Sequence, residues 1–209
     1  NLVTFDLCRP LHVFDADKVS GDLTMRFARD GEKILALDGR EYSLEYGMSV
    51  IADANSVHGI GGIMGGEDTG CTEETTNVFL EVALFDPIRT ATTGRMLGIE
   101  SDARYRFERG LDPESAYWGA EVATRLILEF CGGEASELTV SGEMPDWARP
   151  VSLRPERLKS FGGVDIATEE ALSILDRLGF KPKQVNGLIR ATTPPWRADV
   201  STEYCLVEE

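Results

Sequence analysis

Apolar and polar positions alternate in the first half of the chain. Leu23, Met25 and Phe27 fall on one side of an extended segment and Thr24, Arg26 and Ala28 on the other, which predicts a half-buried strand. Asp30-Gly31 and Asp38-Gly39 are turn dipeptides suited to positive φ, so 22–44 reads as antiparallel hairpins. Met48 to Ala52 and the run around Val78, Leu80 and Val82 predict two more strands. The opening, 1–8, fits helix or strand, and Pro10 ends it either way.

Helical signals come later. Asp86-Pro87 sets a capping carboxylate before a proline at the first helical position, predicting a helix to about Leu97. Asp112-Pro113 repeats the device for a helix reaching Phe130 or Cys131, stopped by Gly132-Gly133. Residues 1–142 are therefore expected to be α+β with a mainly antiparallel sheet. The stretch 143–150, rich in proline and without period, reads as a linker. A small α+β unit over 151–209 is expected to follow. It has a helix at 155–161, a second capped by Thr168 and carrying Ala171, Leu172, Leu175 and Leu178 on one face, and an Asn186-Gly187 hairpin. Its last helix is expected to be cut short at Glu209, and about 60 residues make a marginal core alone.

Charge sharpens this division. The 209 residues carry a net charge of −15. Residues 1–142 hold 12 basic and 25 acidic side chains, and 143–209 hold 9 and 11. Such acidity argues against broad electrostatic binding to nucleic acid, DNA included, while leaving room for a focused contact. No stretch is apolar enough to span a membrane. The start has neither an initiator Met nor a basic, apolar leader, so we expect no secretory signal and a piece of a longer chain. Cys8, Cys71, Cys131 and Cys205 lie far apart, which fits reduced thiols in a cytoplasmic protein better than a disulfide frame.

Five segments hold candidate chemistry. Residues 59–66 contain five glycines and read equally as a pocket wall or as close packing of Ile60, Ile63 and Met64. They lack the Lys-Ser/Thr ending of a phosphate loop. Glu81, between apolar neighbours on one strand, reads first as solvent-facing and otherwise as aimed into a cavity. Arg104, Arg106 and Arg109, interleaved with Tyr105 and Phe107, fit either phosphate or base binding or an ion-pair cluster with Asp102, Glu108 and Asp112. His12 near Asp15 fits acid–base work or a structural hydrogen bond, and Ser101 is too remote in sequence to join them as a triad. Asp199, Glu208 and Glu209 could hold Mg²⁺, pair with arginine, or face solvent.

RPLHVFDADKVSG, GGIMGGEDTGCTEETTNVFLEVALFDP and SDARYRFERGLDP follow one another in this chain. Together they resemble the B3/B4 module of the bacterial phenylalanyl-tRNA synthetase β-subunit family. The stretch from about Pro150, with PPWRADVSTEYCLVEE, is similar to the B5 domain of the same family. The resemblance covers essentially the whole chain. It implies an α+β fold and a hydrolytic editing site that clears tyrosine wrongly esterified to tRNA(Phe), within an ATP-dependent, cytoplasmic ligase whose aminoacylation site lies elsewhere. It places the pocket at Asn1, Pro10, His12, Gly65, Glu81, Ser101 and Ala103, with His12 and Ser101 nearest the chemistry. Ser101 stands where the family commonly has Thr.

The resemblance also implies tRNA(Phe) and the α subunit of an α2β2 heterotetramer as partners. It further implies a Mg²⁺ site in B5 shared with that subunit, matching Asp199, Glu208 and Glu209. Cys205 stands where an Asp is usual, and a thiol is a poor Mg²⁺ ligand. Two other functions fit the sequence: a non-catalytic scaffold binding tRNA or another subunit, and a metal hydrolase built on the three acidic residues. The chemistry favours editing. An apolar pocket rejects an added hydroxyl poorly, whereas a second site offering that hydroxyl an acceptor selects for it. Glu81 is suited to be the acceptor, and the small Gly65 and Ala103 leave room for the ring.

Overall fold

The structure, a computed structural model, describes residues 2–209. Its backbone forms two compact units, 2–140 and 141–209. Both are α+β, and every strand pair is antiparallel.

The first unit opens with helix α1 (Leu2–Leu7) and strand β1 (His12–Asp15). A four-stranded sheet follows in the order β2 (Thr24–Phe27), β5 (Ser49–Ala52), β6 (Val57–Ile60), β7 (Met64–Gly65). Within the loop between β2 and β5, β3 (Lys33–Leu35) and β4 (Glu41–Ser43) form one hairpin about Asp38-Gly39. The expected series of hairpins across 22–44 is thus a single hairpin. The strand β2 passes over it to pair with β5, with Arg26 opposite Val50. Met25 and Phe27 are exposed and Ala28 is buried. That core gathers Ile34, Leu44, Val50, Ile60 and Ile63 with Ile99.

Strand β8 (Val78–Glu81) returns to pair with β1, setting His12 opposite Glu81 and Phe14 opposite Phe79. Three helices complete the unit: α2 (Pro87–Leu97), α3 (Asp102–Phe107) and α4 (Ser115–Cys131). At α2 the expected device is in place. Asp86 accepts from the Arg89 N–H at 2.8 Å and Pro87 is the first residue. The Asp112-Pro113 device sits earlier than expected: Asp112 accepts from the Glu114 N–H at 2.9 Å, and α4 begins two residues after Pro113. The helix α3 and strands β1, β6 and β7 carry no clear period in the sequence.

The second unit is a three-stranded sheet in the order β10 (Lys181–Val185), β11 (Leu188–Thr192), β9 (Pro150–Leu153). Helices α5 (Glu156–Ser160), α6 (Thr168–Arg177) and α7 (Glu203–Glu208) pack with it around Leu153, Leu175, Phe180, Ile189 and Leu206. Asn186 and Gly187 have φ of 52° and 78°, as a two-residue hairpin turn requires. Thr168 is not the cap of α6. It is the first helical residue, and Ala167 precedes it without a side-chain bond.

No helix of the described residues is long and apolar enough to cross a membrane. Replacing Asp86 with Ala should cost the first unit about 1 kcal/mol, since the α2 N-terminus loses its cap. Urea denaturation checks this. An unchanged midpoint would contradict the capping role.

Candidate functional site

The alternation of β1 and β8 puts His12, Phe14, Phe79 and Glu81 on one face. Phe14 is fully buried and holds the His12 ring edge-on at 4.4 Å between centroids. Above this face lies a cavity of about 390 Å³, within the roughly 300–1,000 Å³ typical of small-molecule sites. His12 and Glu81 form one wall, and the backbone from Gly59 to Gly65 forms a second. Ser101 and Ala103, at the head of α3, form a third, and Pro10 sits at the end of the His12 wall. Phe85 and Phe107 meet edge-to-face at 5.1 Å on the apolar side.

The glycines have a steric reason. A Cβ at Gly65 would lie 2.1 Å from His12 Cε1, so Gly65 is what lets the imidazole sit against the turn. At Gly61 a Cβ would lie 2.7 Å from Phe85 Cε1. Gly65, expected to leave room for a ligand, serves first to seat His12.

Glu81 is half-buried and lines the cavity rather than facing bulk solvent. Among the described residues no hydrogen bond reaches its carboxylate. Desolvation pushes its pKa up to about 7, against the opposing pull of the Arg9 charge. Near neutral pH Glu81 is therefore not a permanent anion but a group poised between acid and carboxylate. Burial lowers the pKa of His12, so its imidazole is neutral at pH 7, and its buried Nε2 has no hydrogen-bond partner among the described residues.

Ser101 is the N-cap of α3. Its hydroxyl accepts from the Arg104 N–H at 3.0 Å and donates to the Ile63 carbonyl at 2.6 Å. That pins α3 to the glycine-rich turn and commits the proton, leaving one lone pair for a ligand. No Ser101–His12 bond exists among the described residues, and Asp15 points away from His12. Asp15 instead accepts from Thr75 at 2.7 Å and caps a short 3₁₀ turn. The carboxylate facing His12 is Glu81. Asn1 lies outside the described residues.

The arginine segment is structural. Arg104 bonds Glu108 at 3.0 Å and the Ile99 carbonyl at 2.6 Å, and Arg106 bonds Asp102 at 3.1 Å. Arg109 bonds Glu108 and stacks 3.7 Å over Tyr105. Asp112, expected in the same cluster, is not paired with these arginines among the described residues.

The proposed Mg²⁺ ligands do not fit a metal. Arg197 binds Asp199 at 2.7 Å and Glu209 at 2.5 Å, so a guanidinium stands where a cation would. Glu208 is exposed, and the Cys205 thiol lies 3.2 Å from the Thr202 hydroxyl. No group of three or more His, Cys, Asp or Glu able to hold a metal exists among the described residues. A hard dication prefers open oxygen ligands to a thiol and to carboxylates already neutralised.

Two features were not anticipated from sequence. His58 and Asp53 form a buried pair, with Nε2 2.8 Å from Oδ2. Burial works against the Asp53 charge, yet bonds from His58 and from the N–H groups of Ser56, Asn55 and Ser20 outweigh it and hold the carboxyl below the usual range. Arg9 is 1% exposed and donates to three backbone carbonyls: Ser115 at 3.2 Å, Pro10 at 3.2 Å and Ala83 at 2.6 Å. An arginine inside an apolar, proline-flanked segment was its one visible signal.

Comparison with known proteins gives two family matches: the B3/4 domain over residues 1–132 and the tRNA synthetase B5 domain over 151–209. The phenylalanine–tRNA ligase β subunits of Paramagnetospirillum magneticum, Rhodospirillum rubrum and Brucella abortus are 54%, 55% and 56% identical to the chain. Each match covers 100% of this chain and 26% of the relative, so the chain spans about a quarter of their length. A crystallised N-terminal fragment of the phenylalanyl-tRNA synthetase β subunit from Pyrococcus horikoshii is similar at a TM-score of 0.47 and 15% identity. It covers 99% of this chain and 61% of that one, a likeness too loose to carry an argument.

Two outcomes follow from this geometry. A carboxyl whose folded-state pKa is raised contributes stability below its unfolded value, and that contribution is lost as pH rises through the folded one. Between about pH 4.5 and 7, Glu81 should thus cost the fold on the order of 1–3 kcal/mol, and Glu81→Gln should remove that slope. Thermal unfolding at pH 5 and pH 8 checks it; an equal effect at both would contradict the buried setting of Glu81. Gly65→Ala should push the imidazole off the turn and bring the His12 pKa, followed by NMR, back toward its ordinary value. An unmoved titration would contradict the packing of His12 on Gly65.

Proposed function

Because the chain belongs to the B3/4 domain family, and a B5 domain follows in the order of the phenylalanine–tRNA ligase β subunits it resembles, we propose that its cavity is an editing site. The site hydrolyses tyrosine wrongly esterified to tRNA(Phe), within a cytoplasmic aminoacyl-tRNA ligase that joins phenylalanine to that tRNA with ATP. The partners of this reading are the tRNA and the α subunit of an α2β2 enzyme. One observation carries it: a half-buried carboxyl, Glu81, on the wall of a cavity that the rings of Phe85 and Phe107 also line.

Tyrosine and phenylalanine differ by one hydroxyl. In this site the tyrosine ring enters between the glycine-rich turn and the head of α3, where Ala103 offers little bulk. Its phenol donates to Glu81. A hydrogen bond to a charged group contributes roughly 1.5–3 kcal/mol, whereas phenylalanine leaves the carboxylate buried without a partner. The bond favours the ionised form, so tyrosine binding pulls the Glu81 pKa down from about 7.

The ester is already activated and needs a placed water more than a strong base. In the proposed step that water attacks the ester carbonyl carbon. The carbon–ribose-oxygen bond breaks, the ribose oxygen leaves with a proton from the water, and free tyrosine and intact tRNA result. His12, neutral and with an unused Nε2, and the free lone pair of Ser101 orient the water and the terminal ribose. Pro10 completes the wall. The acidic pair held by Arg197 has no part in the step.

Single-turnover deacylation of Tyr-tRNA(Phe) by the whole ligase tests this. Glu81→Ala should slow it by roughly 10- to 100-fold, the kinetic equivalent of one charged hydrogen bond. His12→Ala should slow it without changing the preference for tyrosine over phenylalanine. In the unmodified enzyme that preference should strengthen as pH rises through about 7, because only the ionised Glu81 accepts strongly. Unchanged rates in both variants would overturn the assignment.

A further inference from the structure

The strands that carry His12 and Glu81 are only four residues long each. Their ladder has a defined parity. The register sets Asp15 opposite Val78, and one step on, the Ala16 N–H bonds the Asn77 carbonyl at 2.9 Å. Even-numbered residues of this segment therefore occupy the hydrogen-bonded pairs, which makes His12 and Glu81 such a pair. Extended two residues past the end of the ladder, the same register would set Pro10 opposite Ala83. A normal pair there would send an N–H from residue 10 to the Ala83 carbonyl. Proline has none.

Arg9 supplies the missing donor. Its Nη2 bonds the Ala83 carbonyl at 2.6 Å and its Nη1 bonds the Pro10 carbonyl at 3.2 Å, so one guanidinium bridges both sides of the interrupted pair. Its Nε reaches the Ser115 carbonyl at the start of α4. Its stem fits only because position 119 is glycine, where a Cβ would lie 2.9 Å from Arg9 Cγ. A planar fork with five donors suits this task in a way an ammonium does not.

We propose that Arg9 is a positioning residue of the cavity: its guanidinium replaces the backbone bond that Pro10 cannot make, fixes His12 opposite Glu81, and sets a permanent cation behind the Glu81 wall. No carboxylate bonds Arg9 directly among the described residues, so its charge is shared at longer range with Glu81 and Asp112. Burial lowers its pKa to about 10, which still leaves it charged at neutral pH. The other charged or titratable groups around Glu81 are His12 on β1, Asp38 in the β3–β4 turn and Asp102 at the head of α3. Among the described residues Arg9 is the one cation that opposes the desolvation of Glu81.

This assignment rests on the reading of the cavity as the working site, but its test uses neither tyrosine nor tRNA, so failure of one is distinguishable from failure of the other. The experiment is NMR on the full chain, following amide exchange in β1 and β8 and the ¹³C-carboxyl titration of Glu81. Arg9→Met should lower the protection of these amides at least about tenfold and raise the Glu81 midpoint by roughly one pH unit, as expected on losing a nearby opposite charge. Adding Pro10→Ala to Arg9→Met restores an N–H facing Ala83, and should recover protection while leaving the midpoint high. Arg9→Lys, which keeps the charge and loses the fork, should lower protection with the midpoint near its original value; it carries the test if Arg9→Met does not fold. Undiminished protection in Arg9→Met or Arg9→Lys overturns the proposal, as does a protection loss that Pro10→Ala fails to recover. An unmoved midpoint in Arg9→Met reduces Arg9 to a structural part and overturns its role at the site.

Discussion

The pairing of β1 with β8 is the constraint on which the site depends. It joins residues almost seventy positions apart and sets a histidine and a glutamate side by side on one face. Closing so long a loop costs conformational entropy, offset here by the burial of Phe14 beneath the pair and by short bonds from neighbouring segments. Thr69 accepts from the Asp15 N–H at 2.9 Å, and Arg9 bridges the opposite end. A slip of one residue would turn His12 and Glu81 to the other face and empty the wall. The glycine-rich turn can then lie against the imidazole, and Ser101 ties α3 to that turn.

Electrostatics gives this wall its chemistry. Burial raises Glu81 and lowers His12, so both ionisations move toward their neutral forms. A neutral histidine and a half-ionised carboxyl can exchange hydrogen bonds with a neutral phenol without a stranded charge. The acidic cluster of the second unit shows the opposite arrangement. Asp199 and Glu209 share one guanidinium, which holds Asp199 below the usual range and uses the negative charge a cation would need.

What the sequence made legible follows from the range of the interactions involved. Local chemistry was readable: Asp86-Pro87 starts α2, Gly132 ends α4 and Asn186-Gly187 turns β10 into β11. Long-range pairing was not. The strand β2 leaves its sequence neighbours to join β5, and its apolar Met25 and Phe27 are exposed. Strand β1 gave no alternation because its residues are chosen for a cavity on one side and for capping at Asp15 on the other. The resemblance drew attention to Pro10, His12, Gly65, Glu81, Ser101 and Ala103, which the structure brings to one cavity. It assigned no role to Arg9, whose three partners are backbone carbonyls and so lie outside side-chain pattern. The B5 carboxylates show the same limit in reverse, because nothing in their spacing reveals that Arg197 lies between them.

Everything at this site turns on where one oxygen sits. A crystal of the chain soaked with tyrosine, refined alongside one soaked with phenylalanine, measures it directly. The account predicts the tyrosine ring between Gly65 and Ala103, with its phenol oxygen within hydrogen-bonding distance of a Glu81 carboxyl oxygen, and no ordered phenylalanine at the same concentration. Equal occupancy by both amino acids, or a tyrosine whose hydroxyl turns away from Glu81, would contradict it.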